Sequence, residues 1–309
     1  MAAFSDLNIL HMENVSTKEK LLMAIKLGYE VVAINNYVEN VLVKDDKGKS
    51  KKEPSKVVEI PAPVKVHLTE RDIGDLKVKG ASLKQLSRFT TVLSDPGQWR
   101  RMQEDDIQAY DLLAVQPTTE KLFHMACTAI EIDIITFNIG DKLTYYLKPA
   151  PVSKAIERGV HFEIVYSEGF HSSSRRTFIA NALRIMHVTH GKNVIISSGA
   201  REAMDVRGPY DVANLGLLIG LQEPQSKDAI STNSRACVLH ANTRHSVKSV
   251  ISVRSSSELK AEDQWTVEAC RKEASEESGD DSSESAAEEA DSSFDAARPE
   301  SKRRRMDGV

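Results

Sequence analysis

Residues 191–200 read GKNVIISSGA: three branched apolar residues, Val194 to Ile196, run into two serines, a glycine and an alanine. A short run that is apolar on successive positions reads as a strand covered on both faces. The stretch at 207–221, RGPYDVANLGLLIGL, then opens as a helix, with Gly208-Pro209 placing proline in its first turn. Val194–Ile196 is therefore expected to be the parallel strand of a strand–helix unit, with residues 197–200 as its C-terminal end.

The same rhythm recurs along the chain. Similar runs stand at Leu7–Leu10, Val31–Ile34, Phe89–Leu93, Leu112–Val115, Ile132–Phe137, Phe162–Tyr166 and Ala236–Leu239, which makes eight with Val194–Ile196. Helical patterns lie between several of them. Ser16-Thr17-Lys18-Glu19 has the spacing of a capping box ahead of LLMAIKL, and Gly28 is placed to end that helix. PTTEKLFHMAC, from Pro117, is apolar at helical spacing, and RRTFIANALRIMHVTHG puts Phe178, Ile179, Leu183 and Met186 on one face. Eight such units predict an α/β fold, a TIM (β/α)8 barrel over residues 1–254. A doubly wound open sheet is the alternative.

Two segments stand apart in composition. KDDKGKSKKEPSK, residues 44–56, reads as an exposed Lys-rich loop. Residues 272–295 hold one large apolar residue, Phe294, so a disordered acidic tail is expected over 255–309. It ends in a basic cluster, Lys302, Arg303, Arg304 and Arg305, of the kind that serves nuclear import.

Charge is divided along the chain. The net charge is −4, yet residues 171–254 hold 11 Lys and Arg against 5 Asp and Glu, and 8 of those 11 are arginine. Arginine presents a planar fork that matches two phosphate oxygens at once. Arg175 and Arg176 follow the sixth run, Arg201 and Arg207 the seventh, and Arg244 the eighth, so all five are expected at the C-terminal rim. Lys192 and Arg235 precede runs seven and eight and fall at the opposite rim, and both are kept among the candidate phosphate contacts. Loops after the last barrel strands often hold phosphate on backbone amides, and small residues let it come close, so Ser197 and Ser198 join the candidate contacts. A tight loop without a ligand accounts for the spacing equally well. Five arginines on one rim suit a phosphate-rich macromolecule better than one small anion.

Nothing in the chain spells out catalysis. GxSxG, P-loop and HExxH patterns do not occur. Cys127, Cys237 and Cys270 are far apart and odd in number, which predicts no disulfide framework and a reducing compartment. The longest apolar run, Val212 to Leu221, is broken by Asn214 and Gly216 and too short for a bilayer, and MAAFSDLNIL lacks the pattern of a secretory signal. A soluble intracellular chain without a membrane partner is expected. His187 and His190 sit at a helix end, His124 falls in a helical core pattern, and His240, ending the eighth run, is the one histidine to watch. Asp6 and Asn8 occupy the first strand where a PHP-type phosphoesterase would present a His-x-His metal pair. No metal, cofactor or catalytic residue is expected.

LGYEVVAIN (27–35), TVLSDP (91–96), YDLLAVQPTTEKLFHMAC (110–127), GKNVIISS (191–198), RGPYDVANLGLLIGL (207–221) and STNSRACVLH (231–240) together carry a resemblance. Over residues 1–254 the chain resembles the thirty-kilodalton protein subunit family of eukaryotic ribonuclease P and ribonuclease MRP. That resemblance implies a PHP-like TIM barrel without a working metal centre, acting as a non-catalytic, RNA-binding scaffold. It implies ribonuclease P RNA and MRP RNA as partners, with precursor tRNA, whose 5′ leader is removed, inside the particle. MRP would serve ribosomal RNA maturation. Other protein subunits, including a small αβ-sandwich protein, and a location in the nucleus and nucleolus are also implied. The GKNVIISS, RRT, RGPYD and HxxTR positions keep the family's basic residues, whereas Arg201, Glu202 and the loop at 44–56 depart from its pattern. A metal-dependent PHP-type phosphoesterase and an adaptor whose arginines meet acidic proteins are the other readings.

Overall fold

Seven parallel strands carry the fold: β1 (Ser5–Leu10), β2 (Val31–Val38), β3 (Lys84–Leu93), β4 (Leu112–Pro117), β5 (Ile134–Ile135), β6 (His161–Val165) and β7 (Val194–Ser197). They pair strictly in sequence order, β1 beside β2 through to β6 beside β7. The structure, a computed structural model, describes residues 3–12, 14–39, 41, 60–69, 72 and 83–246. Around the sheet run α1 (Asn14–Leu27), α2 (Gln98–Arg101), α3 (Asp105–Gln108), α4 (Glu120–Thr128), α5 (Pro149–Glu157), α6 (Arg175–Thr189), α7 (Pro209–Leu218), α8 (Glu223–Asp228) and α9 (Thr232–Ser246).

The sheet curls until its edges nearly meet. A bridge between Ile9 and Ala200 joins the last turn of chain after β7 to β1. Gly199 donates its amide to Asn8 O at 2.8 Å, and Leu10 donates to Ala200 O at 3.3 Å. Lys20 of α1, fully buried, adds Nζ hydrogen bonds to the carbonyls of Leu10 and Ala200. The seam thus needs residues 199 and 200 in one shape. Gly199 has φ +59, and a Cβ there would lie 2.2 Å from Val165 Cγ1. Only glycine fits. The small residues that end GKNVIISSGA are there to close a barrel.

The expected α/β barrel is thereby found, with one strand fewer among the described residues. The eighth run, Ala236–Leu239, lies inside α9. Ser234, Cys237, Val238 and Ala241 are buried, a helical spacing, while Leu239 is 41% exposed. Four apolar residues cannot distinguish the two periods, and here the longer pattern prevails. α9 closes the N-terminal end of the barrel: Asn233 Nδ2 donates to Val194 O at the start of β7, and Ser5 N donates to Ile230 O just ahead of it.

Two further details differ from expectation. α1 begins at Asn14, so Ser16 lies within the helix, although Gly28, with φ +94, ends it as anticipated. On α6 the face toward the core is Phe178, Ala182, Ile185 and Met186, whereas Ile179 and Leu183 are 42% and 45% exposed. Asn181 is buried on that face as well, and its Nδ2 donates to the carbonyls of Ile139 and Asp141. No helix among the described residues is long and apolar enough to cross a membrane. The loop at 44–56, Cys270 and the segment 255–309 with Lys302–Arg305 lie outside the described residues.

Candidate functional site

The C-terminal end of the barrel interior is filled by an ion pair that the apolar patterns did not reveal. Arg88 on β3 and Glu163 on β6 are fully buried and meet in a two-pronged contact, Nη1–Oε1 at 2.5 Å and Nη2–Oε2 at 2.6 Å. Their remaining hydrogen-bonding capacity is satisfied locally. Arg88 also donates to Leu7 O and Thr90 Oγ1, and Glu163 accepts from Ser197 Oγ at 2.6 Å and Asn8 Nδ2 at 3.2 Å. Asn35 links the two sides, donating to Asn8 Oδ1 and accepting from Thr90 Oγ1. Burial alone would raise the Glu163 carboxyl, but the Arg88 charge and these hydrogen bonds outweigh it and hold it below its ordinary value. A signal was present: Arg88 in SRFTTVL and Glu163 in HFEIV are charges inside runs otherwise patterned for burial.

Asp6 and Asn8, the positions compared with a metal pair, belong to the same wall. Asp6 Oδ1 accepts from the amides of Asn8 and Ser198, both at 3.1 Å, while Oδ2 is buried without a partner. Burial pushes its carboxyl up to about 6, against hydrogen bonds from Ser198 and Asn8 that lower it. A carboxyl whose folded pKa exceeds its unfolded value supports the fold in acid. That support is lost as pH rises through the interval from 3.8 to about 6. Asp6→Asn removes the ionisation, so its stability relative to the parent should rise by about 2 kcal/mol between about pH 4 and pH 7. Urea unfolding across that range checks this, and a pH-independent difference would contradict it.

The end of β7 does not offer its amides to a ligand. Ser197 Oγ is committed to Glu163, and Ser198 Oγ donates to Asn8 O while accepting from Ala200 N. The amides of Ser198 and Gly199 bond to β1, and those of Arg201 and Glu202 bond to Asp205 Oδ2. The expected phosphate cradle at Ser197 and Ser198 is therefore replaced by the closing seam. Both side chains are essentially inaccessible, at 1% and 0%.

Four of the five rim arginines do stand at the C-terminal end. Arg175 and Arg176 open α6 and are exposed; Arg175 folds back, donating from Nε to Gly169 O and from Nη2 to Phe170 O. Arg207, also exposed, lies 4.7 Å over the Phe170 ring, so the loops after β6 and β7 meet at one aromatic residue. The Arg207 backbone is pinned: its amide donates to Tyr166 Oη and its carbonyl accepts from Tyr29 Oη. Arg201, likewise exposed, lines a cleft of about 420 Å³ above the ion pair, together with His11, Tyr37, Glu39 and Glu168.

Arg244 is elsewhere. With the eighth run helical, it reaches the N-terminal end of the barrel, its side chain 6% exposed. It donates to Gln108 Oε1, to the carbonyls of Tyr110 and Asp111, and to Asp133 Oδ2 at 3.2 Å. His240, on the same helix, contacts the other oxygen of Asp133 at 2.8 Å. The watched histidine thus locks α9 to the barrel floor. Lys192 precedes β7 and is exposed, and Arg235 is half-buried on α9, both away from the C-terminal rim as expected. His187 and His190 are at the end of α6, where His190 takes a left-handed capping conformation.

A parallel α/β barrel with a basic C-terminal rim and an ion-paired interior is the class of protein this geometry defines. The chain belongs to the RNase P subunit p30 family, whose model matches residues 3–246. It is 39% identical over 276 residues to the ribonuclease P protein subunit p30 of Mus musculus, spanning 88% of this chain and 98% of that one. It is 28% identical over 220 residues to the ribonuclease P/MRP protein subunit RPP1 of Saccharomyces cerevisiae, 71% of this chain and 70% of that one. Among solved structures, a chain in the cryo-EM structure of archaeal ribonuclease P with mature tRNA shares the fold, at TM-score 0.55 and 14% identity. That match covers 81% of this chain and 98% of the other.

Proposed function

We propose that this chain is a protein subunit of ribonuclease P and ribonuclease MRP that grips their RNA with its C-terminal rim and leaves cleavage to the RNA. The observation that carries the rim assignment is that Arg175 and Arg207 both engage Phe170, one at its carbonyl and the other over its ring, with exposed Arg176 beside Arg175 at the start of α6. α6 has two arginines and no acid in its first turn, next to the positive end of its own dipole. Such an arrangement is unfavourable by itself and is relieved when an anion arrives. Stacking on Phe170 holds the Arg207 fork in place, so less side-chain freedom is lost on binding. Arg201 stands on the same loop as Arg207, after β7. Relatives named for ribonuclease P and MRP support both particles as destinations. Precursor tRNA and a small αβ-sandwich subunit are the neighbours this reading expects, in the nucleus and nucleolus, with Lys302–Arg305 assisting import.

A phosphoesterase is the weaker reading, because the barrel interior below the cleft is taken by Arg88 and Glu163, which are paired with each other and bonded to Leu7, Thr90, Asn8 and Ser197. An RNA grip makes a sharper demand. Each phosphate contact releases condensed counterions, so Arg176→Ala and Arg207→Ala should each flatten the log–log salt dependence of RNA binding by about one unit or less. Arg207→Lys should restore only part of the affinity. Lys154→Ala, at an exposed position of α5, is the control. Titrations across a salt series decide it: equal losses at Lys154 and Arg207 would remove the case for the rim.

A further inference from the structure

The cleft at the barrel mouth is used by none of the contacts described so far. We infer that it is a receptor for one unpaired nucleotide, whose base enters the barrel mouth while its phosphate stays at the rim. This rests on the reading of the rim as an RNA grip, and it names what the RNA inserts.

Size, polarity and charge point the same way. At about 420 Å³ the cleft falls within the range of about 300–1,000 Å³ common for small-molecule sites. Its floor is polar yet neutral, because Arg88 and Glu163 cancel and are bonded to each other. An anionic group has no reason to descend there, whereas a flat neutral ring with hydrogen-bonding edges does. Asn8 and Asn35 each use one amide N–H within the network, Asn8 toward Glu163 and Asn35 toward Asn8, which leaves the second N–H of each for a base edge. Gln116 accepts from Tyr37 Oη at 3.3 Å through Oε1, and its amide nitrogen remains to donate. Glu39 and Glu168 line the wall as acceptors, the complement of an exocyclic amino group.

The remaining walls suit a ring. Leu10, Phe137, Ile139 and Val165 line the cleft, and Met12 and Tyr37, 59% and 43% exposed, stand at its lip. Bases splayed from single strands are held in this way, by an aromatic face and by hydrogen bonds to the base edge. Arg201 is the cation placed among the lining residues that is not consumed by the ion pair, and the phosphate of the inserted nucleotide would meet it.

The test uses the full-length chain and two kinds of probe: the four ribonucleoside 5′-monophosphates, and an unstructured RNA decamer carrying one 2-aminopurine. At least one monophosphate should bind by calorimetry, inorganic phosphate should not displace it, and Tyr37→Ala should weaken it about tenfold. The same variant should weaken the decamer and restore its 2-aminopurine fluorescence. If no monophosphate binds and Tyr37→Ala leaves decamer affinity and fluorescence unchanged, the receptor is overturned, even where Arg176→Ala still flattens the salt dependence. If monophosphates bind in a Tyr37-dependent way and the decamer does not, the receptor stands with a free nucleotide as its ligand, and the RNA grip falls instead.

Discussion

Arg88→Ala should destabilise the barrel by about 3–5 kcal/mol, the cost of leaving a buried carboxylate without its partner. The loss has several parts. Glu163 would face the interior with only neutral donors, Asn8 and Ser197 among them, and Leu7 O and Thr90 Oγ1 would each lose a donor. Glu163→Gln should cost less than Arg88→Ala, since the amide oxygen still accepts from Ser197 or Asn8. The double replacement Arg88→Met with Glu163→Leu should recover part of the loss, because paired charges are removed together. It should not recover all, since Asn8 Nδ2 and Ser197 Oγ then lose the acceptor they share and Thr90 Oγ1 loses a donor. Acid should weaken the native pair. Glu163 has a folded pKa below its unfolded value of 4.5, so its contribution is present above that value and is lost as pH falls. Urea unfolding of Arg88→Met, Glu163→Leu and their combination forms a cycle, and additive effects would contradict a coupled pair.

Arg244→Ala is the second large effect, and its sign separates two roles for one residue. Placed on a phosphate-binding rim, it would lower RNA affinity and leave the fold unchanged. Placed where the structure has it, it should cost about 3–5 kcal/mol, because Asp133 would be left buried with one charged partner missing. Asp133 would retain His240 and the Leu113 amide. The carbonyls of Tyr110 and Asp111 would lose a donor as well, leaving His240 and Asn233 among the polar ties between α9 and the floor of the barrel. Arg244→Lys should rescue little, since one ammonium cannot reach Gln108, two carbonyls and a carboxylate that a fork spans. Thermal unfolding of the full-length variants checks this; an unchanged melting temperature with weakened RNA binding would return Arg244 to the rim.

Much of the barrel could be read from the chain because its strands are short, apolar on successive positions and separated by helical spacing. Seven of the eight runs became strands, and β5 shrank to Ile134–Ile135 within the longer run expected. The eighth failed for a physical reason: Ala236–Leu239 satisfies a strand over four residues and a helix over fifteen. Losing that strand moved Arg244 to the other end of the molecule. Arg175, Arg176, Arg201 and Arg207 kept their rim because they follow β6 and β7, which were placed correctly. Ser197 and Ser198 are small residues at a strand end. Smallness there serves the approach of two strands, and spacing alone cannot tell a neighbouring backbone from a phosphate. The Arg88–Glu163 pair escaped notice because its members lie 75 residues apart and meet only once the barrel closes.

The central claim is that this chain belongs to an RNA-bearing particle and is held there through its rim. Affinity purification of the tagged full-length protein from nuclear extract, followed by RNA sequencing, tests it most directly. Ribonuclease P RNA and MRP RNA should be the dominant enriched species, and combined Arg175, Arg176 and Arg207 replacement by Ala should release them at lower salt than the parent protein does. Recovery of neither RNA, or retention that is indifferent to those three arginines across the salt series, would contradict the account.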